Sequence, residues 1–318
     1  MASHSGANAI AASSLPSRRA STPTARLAEV SSLAGEISCS AIRELLDRLA
    51  DCDPLVSWAA GVALAETAGR LRRRARLGLS VWKSQNAELT FSGLLALVRG
   101  GLEDADPRRR AATADVLALC NYQPAVTSLA RAMGDAQPLV RVNAAMALGH
   151  IGDKSVVAPL LSALSDPSIW VRRAAAEALG AISDPRGVPA LEQALADSQP
   201  LVRASAVCAL GHMPTTRARK ALERCAQDGD SATRWYSARG LARIGKVSSV
   251  PILEGLKEDD EALFGQSTNE VASAAIEAIE KRERGPWKRL RKAFYAMLRR
   301  WQRKPQSQHD QNRRTQLE

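Results

Sequence analysis

The stretch D-A-Q-P-L-V-R-V-N-A-A-M-A-L-G, residues 135–149, returns as D-P-S-I-W-V-R-R-A-A-A-E-A-L-G at 166–180 and as D-S-Q-P-L-V-R-A-S-A-V-C-A-L-G at 197–211. The step is 31 residues each time. Backward, the phase meets D-A-D-P-R-R-R-A-A-T-A-D-V-L-A at 104–118, and forward it meets D-G-D-S-A-T-R-W-Y-S-A-R-G-L-A at 228–242. Five copies thus run in register without a gap, which is the signature of one supersecondary unit stacked on itself.

Within each copy an Asp is followed six residues later by an Arg: Asp104 and Arg110, Asp135 and Arg141, Asp166 and Arg172, Asp197 and Arg203, Asp228 and Arg234. The Asp stands where a helix needs an N-cap, its carboxylate accepting orphan backbone N–H groups, and Pro138 or Pro200 beyond it suits a first helical turn. Val171, Ala174, Ala175, Ala178, Leu179 and Ile182 then recur at helical spacing and make one apolar stripe. Gly149, Gly180 and Gly211 are predicted to end that helix. A second apolar stretch follows at 156–164, 187–195 and 249–256, with Pro159, Pro189 and Pro251 early in it, where a missing N–H costs least. Two such short helices cannot bury their apolar faces alone, so the units must stack. Alanine at the interfaces lets helices approach closely, which is how a chain with only 4% aromatic residues can still pack densely.

The unit D-x-x-P-x-V-R-x-x-A-A-x-A-L-G resembles the HEAT repeat superfamily, and most closely the short, Ala-rich variety called phycobilisome-lyase HEAT-like repeats. The resemblance is strong over about residues 104–257. It implies an all-α fold, a right-handed α-solenoid of HEAT-like helix pairs on the 31-residue repeat. It also implies first helices on the convex side, second helices on the concave side, and an Asp/Arg ladder between neighbouring units, which makes the five pairs named above structural.

The flanks depart from the pattern. D-C-D-P-L-V-S-W-A-A-G-V-A-L-A at 51–65 matches the unit with Ser57 in place of the Arg. The next unit starts 22 residues later than the period demands, and the excess near 70–90 contains R-L-R-R-R-A-R, which predicts a first helix extended into a basic projection. Downstream, V-A-S-A-A-I-E-A-I at 271–279 repeats the helix pattern seven residues late, after the acidic Asp259, Asp260 and Glu261. Terminal units of solenoids are often atypical because one side meets water. Three regions follow. Residues 1–24, rich in Ala and Ser with no acid before Glu29, read as a disordered tail, with a transit peptide as the alternative. Residues 25–280 read as the solenoid with a basic insertion at about 68–90, and residues 281–318 as a basic C-terminal helix and tail.

The 318 residues carry a formal net charge of +11, yet residues 281–318 hold 13 Lys and Arg against three acids, leaving the rest nearly neutral. This does not describe a uniformly basic body, and nucleic acid is not an expected partner. With no run of 18 apolar residues and no compact apolar leader, the expected location is cytoplasmic, or peripheral to a membrane through the tail. Cys39, Cys52, Cys120, Cys208 and Cys225 are odd in number and never in C-x-x-C, and read as reduced core residues. His150 and His212 share a repeat phase but lie two units apart, about 20 Å if helix layers are spaced near 10 Å, too far to share a metal. They read as turn histidines bonded to local carbonyls. The chain lacks the His-Glu pairs of the iron-dependent deoxyhypusine hydroxylases, and has no P-loop, G-x-S-x-G, G-x-G-x-x-G or H-E-x-x-H. No metal, cofactor or catalytic residue is expected.

Function must then come from surfaces. The second helices of the central units offer Arg186, Glu192, Gln193, Arg217, Lys220, Glu223 and Arg224 as polar positions beside the apolar stripe, predicting a concave face that binds a protein partner. Over 286–304, Trp287, Leu290, Phe294, Met297, Leu298 and Trp301 recur at steps of three and four, while Lys288, Arg289, Arg291, Lys292, Arg299, Arg300 and Arg303 fill much of the remaining surface. This is a basic amphipathic helix, fit to cap the last repeat or to adsorb to an anionic membrane. Trp170 shares the phase of Leu139 and Leu201 and reads as a core plug. Trp235 falls at the phase of Val142, Arg173 and Ala204, where it reads as a contact residue or, equally, as core packing. The leading reading is a non-enzymatic interaction scaffold. The resemblance supplies the alternative, a phycobilin lyase subunit or chromophore chaperone that joins an open-chain tetrapyrrole to a Cys of a phycobiliprotein subunit.

Overall fold

The computed structural model describes residues 22–34, 39–76, 82–84, 87–89, 91–228 and 230–283, and over them the chain is an all-α solenoid of helix pairs. It falls into two compact units divided after Ala147. The first holds α1 (Pro23–Ala34), α2 (Cys39–Arg48), α3 (Pro54–Arg76), α4 (Phe91–Gly100), α5 (Pro107–Leu119), α6 (Val126–Ala132) and most of α7 (Pro138–Ile151). In this unit α3 packs against α1, α2, α4 and α5. Its 23 residues include the expected extension, but beyond it the chain makes an antiparallel hairpin, β1 (Trp82–Ser84) with β2 (Ala87–Leu89). α1 begins at Pro23, inside the stretch expected to be a disordered tail, and residues 1–21 lie outside the described residues.

The second unit continues with α8 (Val157–Ala163), α9 (Ile169–Ile182), α10 (Val188–Ala194), α11 (Pro200–Leu210), α12 (Thr216–Asp228), α13 (Ser231–Ile244), α14 (Val250–Gly255) and α15 (Thr268–Glu283). A short hairpin, β3 (Ala262–Leu263) with β4 (Gln266–Ser267), precedes α15. The first helices α9, α11, α13 and α15 pack in succession, and the second helices α10, α12 and α14 form a parallel succession against them. Leu160, Leu179, Leu191, Leu210 and Leu222 are fully buried between the two rows.

Glycine sets how close the first helices come. A Cβ at Gly180 would lie 2.8 Å from the Cα of Ala209, one at Gly149 2.7 Å from the Cα of Ala178, and one at Gly211 2.9 Å from the Cα of Gly240. The expected helix-ending role holds only for Gly211, because α7 and α9 run on past their glycines to Ile151 and Ile182. α9 stops instead at Ser183, whose φ is 53° and whose hydroxyl donates to the Gly180 carbonyl at 2.8 Å.

The repeat Asp is not the N-cap that the pattern predicts. Asp135, Asp166 and Asp197 accept the backbone N–H two residues on, from Gln137, Ser168 and Gln199, each at 2.8 Å, and the helix begins after that turn. Asp106 and Asp230 do cap their helices, accepting from the N–H of Arg108 and Thr233 at 2.8 Å. Freed from capping, the repeat carboxylate faces the preceding unit. Arg110 donates through Nε and Nη2 to Asp135 at 2.7 and 2.9 Å, and through Nη1 to the Asp104 carbonyl at 2.8 Å. Arg172 repeats this on Asp197 at 2.7 and 3.1 Å and on the Asp166 carbonyl at 2.9 Å. The guanidinium fork therefore ties its own turn to the carboxylate of the next unit. Arg234 reaches Asp259 at 2.7 Å. Arg203 reaches Asp230 at 3.1 Å, and the side chain of Asp228 lies outside the described residues. Where Ser57 replaces the Arg, the next carboxylate, Asp104, is taken at 3.1 Å by Arg109, which also bridges to Asp47.

Candidate functional site

Residues from α10 and α12 build the polar face. Arg217, Lys220 and Arg224 recur at steps of three and four on α12 and so share one stripe. Glu192 on α10 accepts from Arg217 Nε at 2.6 Å and from Arg224 Nη2 at 3.3 Å. Glu192, Thr216, Arg217, Lys220 and Arg224 line a shallow depression of roughly 480 Å³. Three bases against one acid leave it net positive, and the arginines are still 60% and 64% exposed beside Glu192.

The other predicted positions divide. Arg186 lies not on a second helix but in the turn Pro185–Gly187 before α10, where Asp184 holds its guanidinium with contacts of 3.0 Å and it donates back to the Lys154 carbonyl at 2.8 Å. The Arg186 guanidinium beside it holds the Asp184 carboxyl down at about 2. Gln193 is exposed. Glu223 is turned inward, accepting from Arg219 at 2.5 Å and from the Ser249 hydroxyl at 2.6 Å, so it ties α12 to the turn before α14 and is not an open contact residue. The membrane-binding residues Trp287, Lys288, Arg289, Arg291, Lys292, Phe294, Arg299, Arg300 and Trp301 lie outside the described residues.

Trp170 departs from its expected place, while Trp235 takes the core alternative of its two. Trp170 is 54% exposed, as are Leu139 and Leu201 to about the same degree, so their shared phase points outward and Trp170 is no core plug. Trp235 is 3% exposed because the β3–β4 hairpin covers it. Its Nε1 donates to the Gln266 carbonyl at 3.2 Å, and Tyr236 and Phe264 meet its ring edge-on. Cysteine likewise divides: Cys120 is buried, Cys208 and Cys225 are half-buried, and Cys52 is exposed. His212 bonds the Cys208 carbonyl through Nδ1 at 2.8 Å and faces Arg243 through Nε2. Among the described residues no group of three His, Cys, Asp or Glu is placed to hold a metal ion, and no helix is long and apolar enough to cross a membrane.

Sequence reading missed a second feature. In the first unit α3, α5 and α7 enclose a cleft of roughly 390 Å³ lined by Leu49, Trp58, Leu119 and Leu139, with Arg108, Asp115 and Asn143 among its polar residues. Asp115 accepts from Asn143 Nδ2 at 2.9 Å. Although the residue is reachable from the mouth of the cleft, desolvation by its apolar walls pushes the carboxyl up to about 6. The available signal was Leu55 and Leu139 at the same repeat phase, outside the stripe that already fills the core.

Helix pairs in register, joined by a rung from one unit to the next, define an α-solenoid repeat protein. The HEAT repeat family matches residues 92–160, 126–207 and 188–280, more than half of the chain, and the chain belongs to that family. No curated protein sequence matches it. Among solved structures it is similar to importin beta, at 14% identity and a TM-score of 0.57 over 81% of this chain and 40% of that one. It is similar to the condensin Cnd3–Cnd2 subcomplex of S. pombe, at 16% identity and a TM-score of 0.52 over 80% and 37%. The phycocyanin lyase CpcE–CpcF complex of Nostoc sp. aligns at 16% identity and a TM-score of 0.43 over 75% and 94%. At these identities the likeness is one of fold.

Proposed function

We propose that this protein is a non-enzymatic HEAT-repeat scaffold that binds an acidic segment of a protein partner along α10 and α12. The observation that carries the reading is the exposed, net-positive cluster of Arg217, Lys220 and Arg224 around Glu192. The cluster offers guanidinium groups whose single carboxylate partner leaves donors open to a second one. A repeat stack suits an extended segment, because each unit presents the same helix edge to successive residues. The protein is expected in the cytoplasm, and adsorption of residues 286–304 to an anionic membrane surface is a separate part of the proposal that rests on sequence. The test is a photo-crosslinking residue at Lys220, with mapping of the captured partner. An acidic contact segment, lost when Arg217 and Arg224 are changed to Glu, supports the reading. A neutral or basic contact segment, or capture unchanged by those substitutions, refutes it.

A further inference from the structure

We propose that the outward face of α3, α5 and the first half of α7 pairs two copies of this chain about a two-fold axis. This face carries side chains that water does not select: Trp58 is 68% exposed, Leu55 64%, Leu119 56% and Leu139 53%. Single exposed apolar residues are ordinary on a protein surface, whereas a set gathered around one cleft marks a contact. Trp58, Leu119 and Leu139 all line the cleft described above, and Leu55 lies one turn before Trp58 on α3.

Charge selects the occupant. Arg108 and Asp115 stand seven residues apart on α5, hence on one side of the helix and about 10 Å apart along it, and both line the cleft. Neither has an oppositely charged partner among the described residues, and Asp115 is met only by the Asn143 amide. A basic and an acidic residue spaced along one helix face, with Ala112 between them and Leu119 one turn beyond the acid, are complementary to themselves after a half-turn. Arg108 of each copy then faces Asp115 of the other, twice over, as an isologous interface requires. Midway between them α5 presents Ala112, small enough for the two α5 helices to cross closely. Trp58 supplies the aromatic anchor that fills the facing cleft. Any other partner would need this charge spacing by coincidence, whereas a second copy has it by symmetry.

Sedimentation of the full chain up to about 100 µM, a range that detects even weak pairing, tests the proposal. The wild-type chain should dimerise. Arg108→Glu alone and Asp115→Arg alone should each be monomeric, because each sets like charges opposite one another at both rungs. Mixing these two variants should restore a dimer, since each new charge then meets its opposite and the two unchanged residues meet one another. Neither variant could regain pairing if it were misfolded. Trp58→Glu and Leu139→Glu should abolish pairing in any background while leaving helical content and melting unchanged. A monomeric wild-type chain would assign the face to another partner and overturn the proposal. A dimer indifferent to all four substitutions, or a mixture of the charge variants that stays monomeric, would also overturn it.

Discussion

Arg26 of α1 lies 3.0 Å from Asp51, and the two stand 25 residues apart in the chain, the separation that also joins Arg110 to Asp135, Arg172 to Asp197 and Arg234 to Asp259. The ladder therefore begins one unit earlier than the obvious repeats, and Pro23-Thr-Ala-Arg26 is that unit's counterpart of Pro138-Leu-Val-Arg141. Both side chains of this first rung are more than nine-tenths buried. Replacing Arg26 with Ala strands a buried carboxylate, at a cost of about 3 kcal/mol, the low end for a broken buried pair because Arg48 stands 3.7 Å away. Chemical denaturation should show that loss. An unchanged midpoint would mean that this first rung contributes nothing to stability.

Rungs should rank by burial. Arg172 and Asp197 are 14% and 12% exposed, while Asp230, the partner of Arg203, is 40% exposed. Arg172→Ala should therefore cost about 3 kcal/mol and Arg203→Ala about 1 kcal/mol or less. The bond from Arg172 holds the Asp197 carboxyl below its ordinary value. A lowered carboxylate stabilises the fold above its unfolded pKa of about 3.9 and loses that contribution as pH falls through the folded value. The wild-type chain should thus lose stability below about pH 4, and Arg172→Ala should flatten that decline. Equal acid sensitivity of the two proteins would place the effect elsewhere.

How legible these features were depended on whether their cause was local. The 31-residue period, the helix pairs and the second-helix polar stripe follow from residue spacing, so Arg217, Lys220 and Arg224 could be placed together from sequence. Capping is not where the pattern puts it because Asp135 and Asp197 have a guanidinium partner in the preceding repeat, Arg110 and Arg172, that competes for their carboxylates. Trp235 shares the phase of Arg173, which leaves contact and core both open, and the β3–β4 hairpin buries it. Trp170 shares the phase of Leu139 and Leu201, and all three stand outside the core. Phase conveys which side of a helix a residue occupies; only the fold shows what covers that side.

Close approach at glycine gives a sharper test of packing. A methyl group at Gly180 would meet the Ala209 backbone at 2.8 Å, and backbone cannot swing aside as a side-chain tip can. Gly180→Ala should destabilise by about 1–3 kcal/mol despite the better helix propensity of Ala. Gly255, with nothing within 4 Å of its added Cβ and a φ of −64°, is the control. Gly255→Ala should be neutral or stabilising by up to about 1 kcal/mol, through the unfolded chain. Thermal melts of the two variants against wild type separate the cases, and a stable Gly180→Ala protein would show that α9 and α11 can move apart at no cost.

Residues 286–304 should give the chain a salt-sensitive attraction to anionic membranes. Most of the net charge of the 318 residues sits in the C-terminal 38, so the remainder has little long-range attraction of its own. Each Lys or Arg near an anionic surface contributes roughly 1 kcal/mol, and Trp287 and Trp301 are the residue type that settles at the headgroup level. Salt weakens the first contribution, because the Debye length shrinks from about 10 Å at 0.1 M to about 3 Å at 1 M, and leaves the second. Changing Arg289, Arg291, Arg299 and Arg300 to Glu should abolish flotation with phosphatidylserine vesicles at low salt. Changing Trp287 and Trp301 to Ala should leave low-salt binding in part and remove what survives at high salt. Wild-type protein that does not float with anionic vesicles, or floats equally with neutral ones, would remove the membrane from the functional reading and leave the segment to act on protein alone.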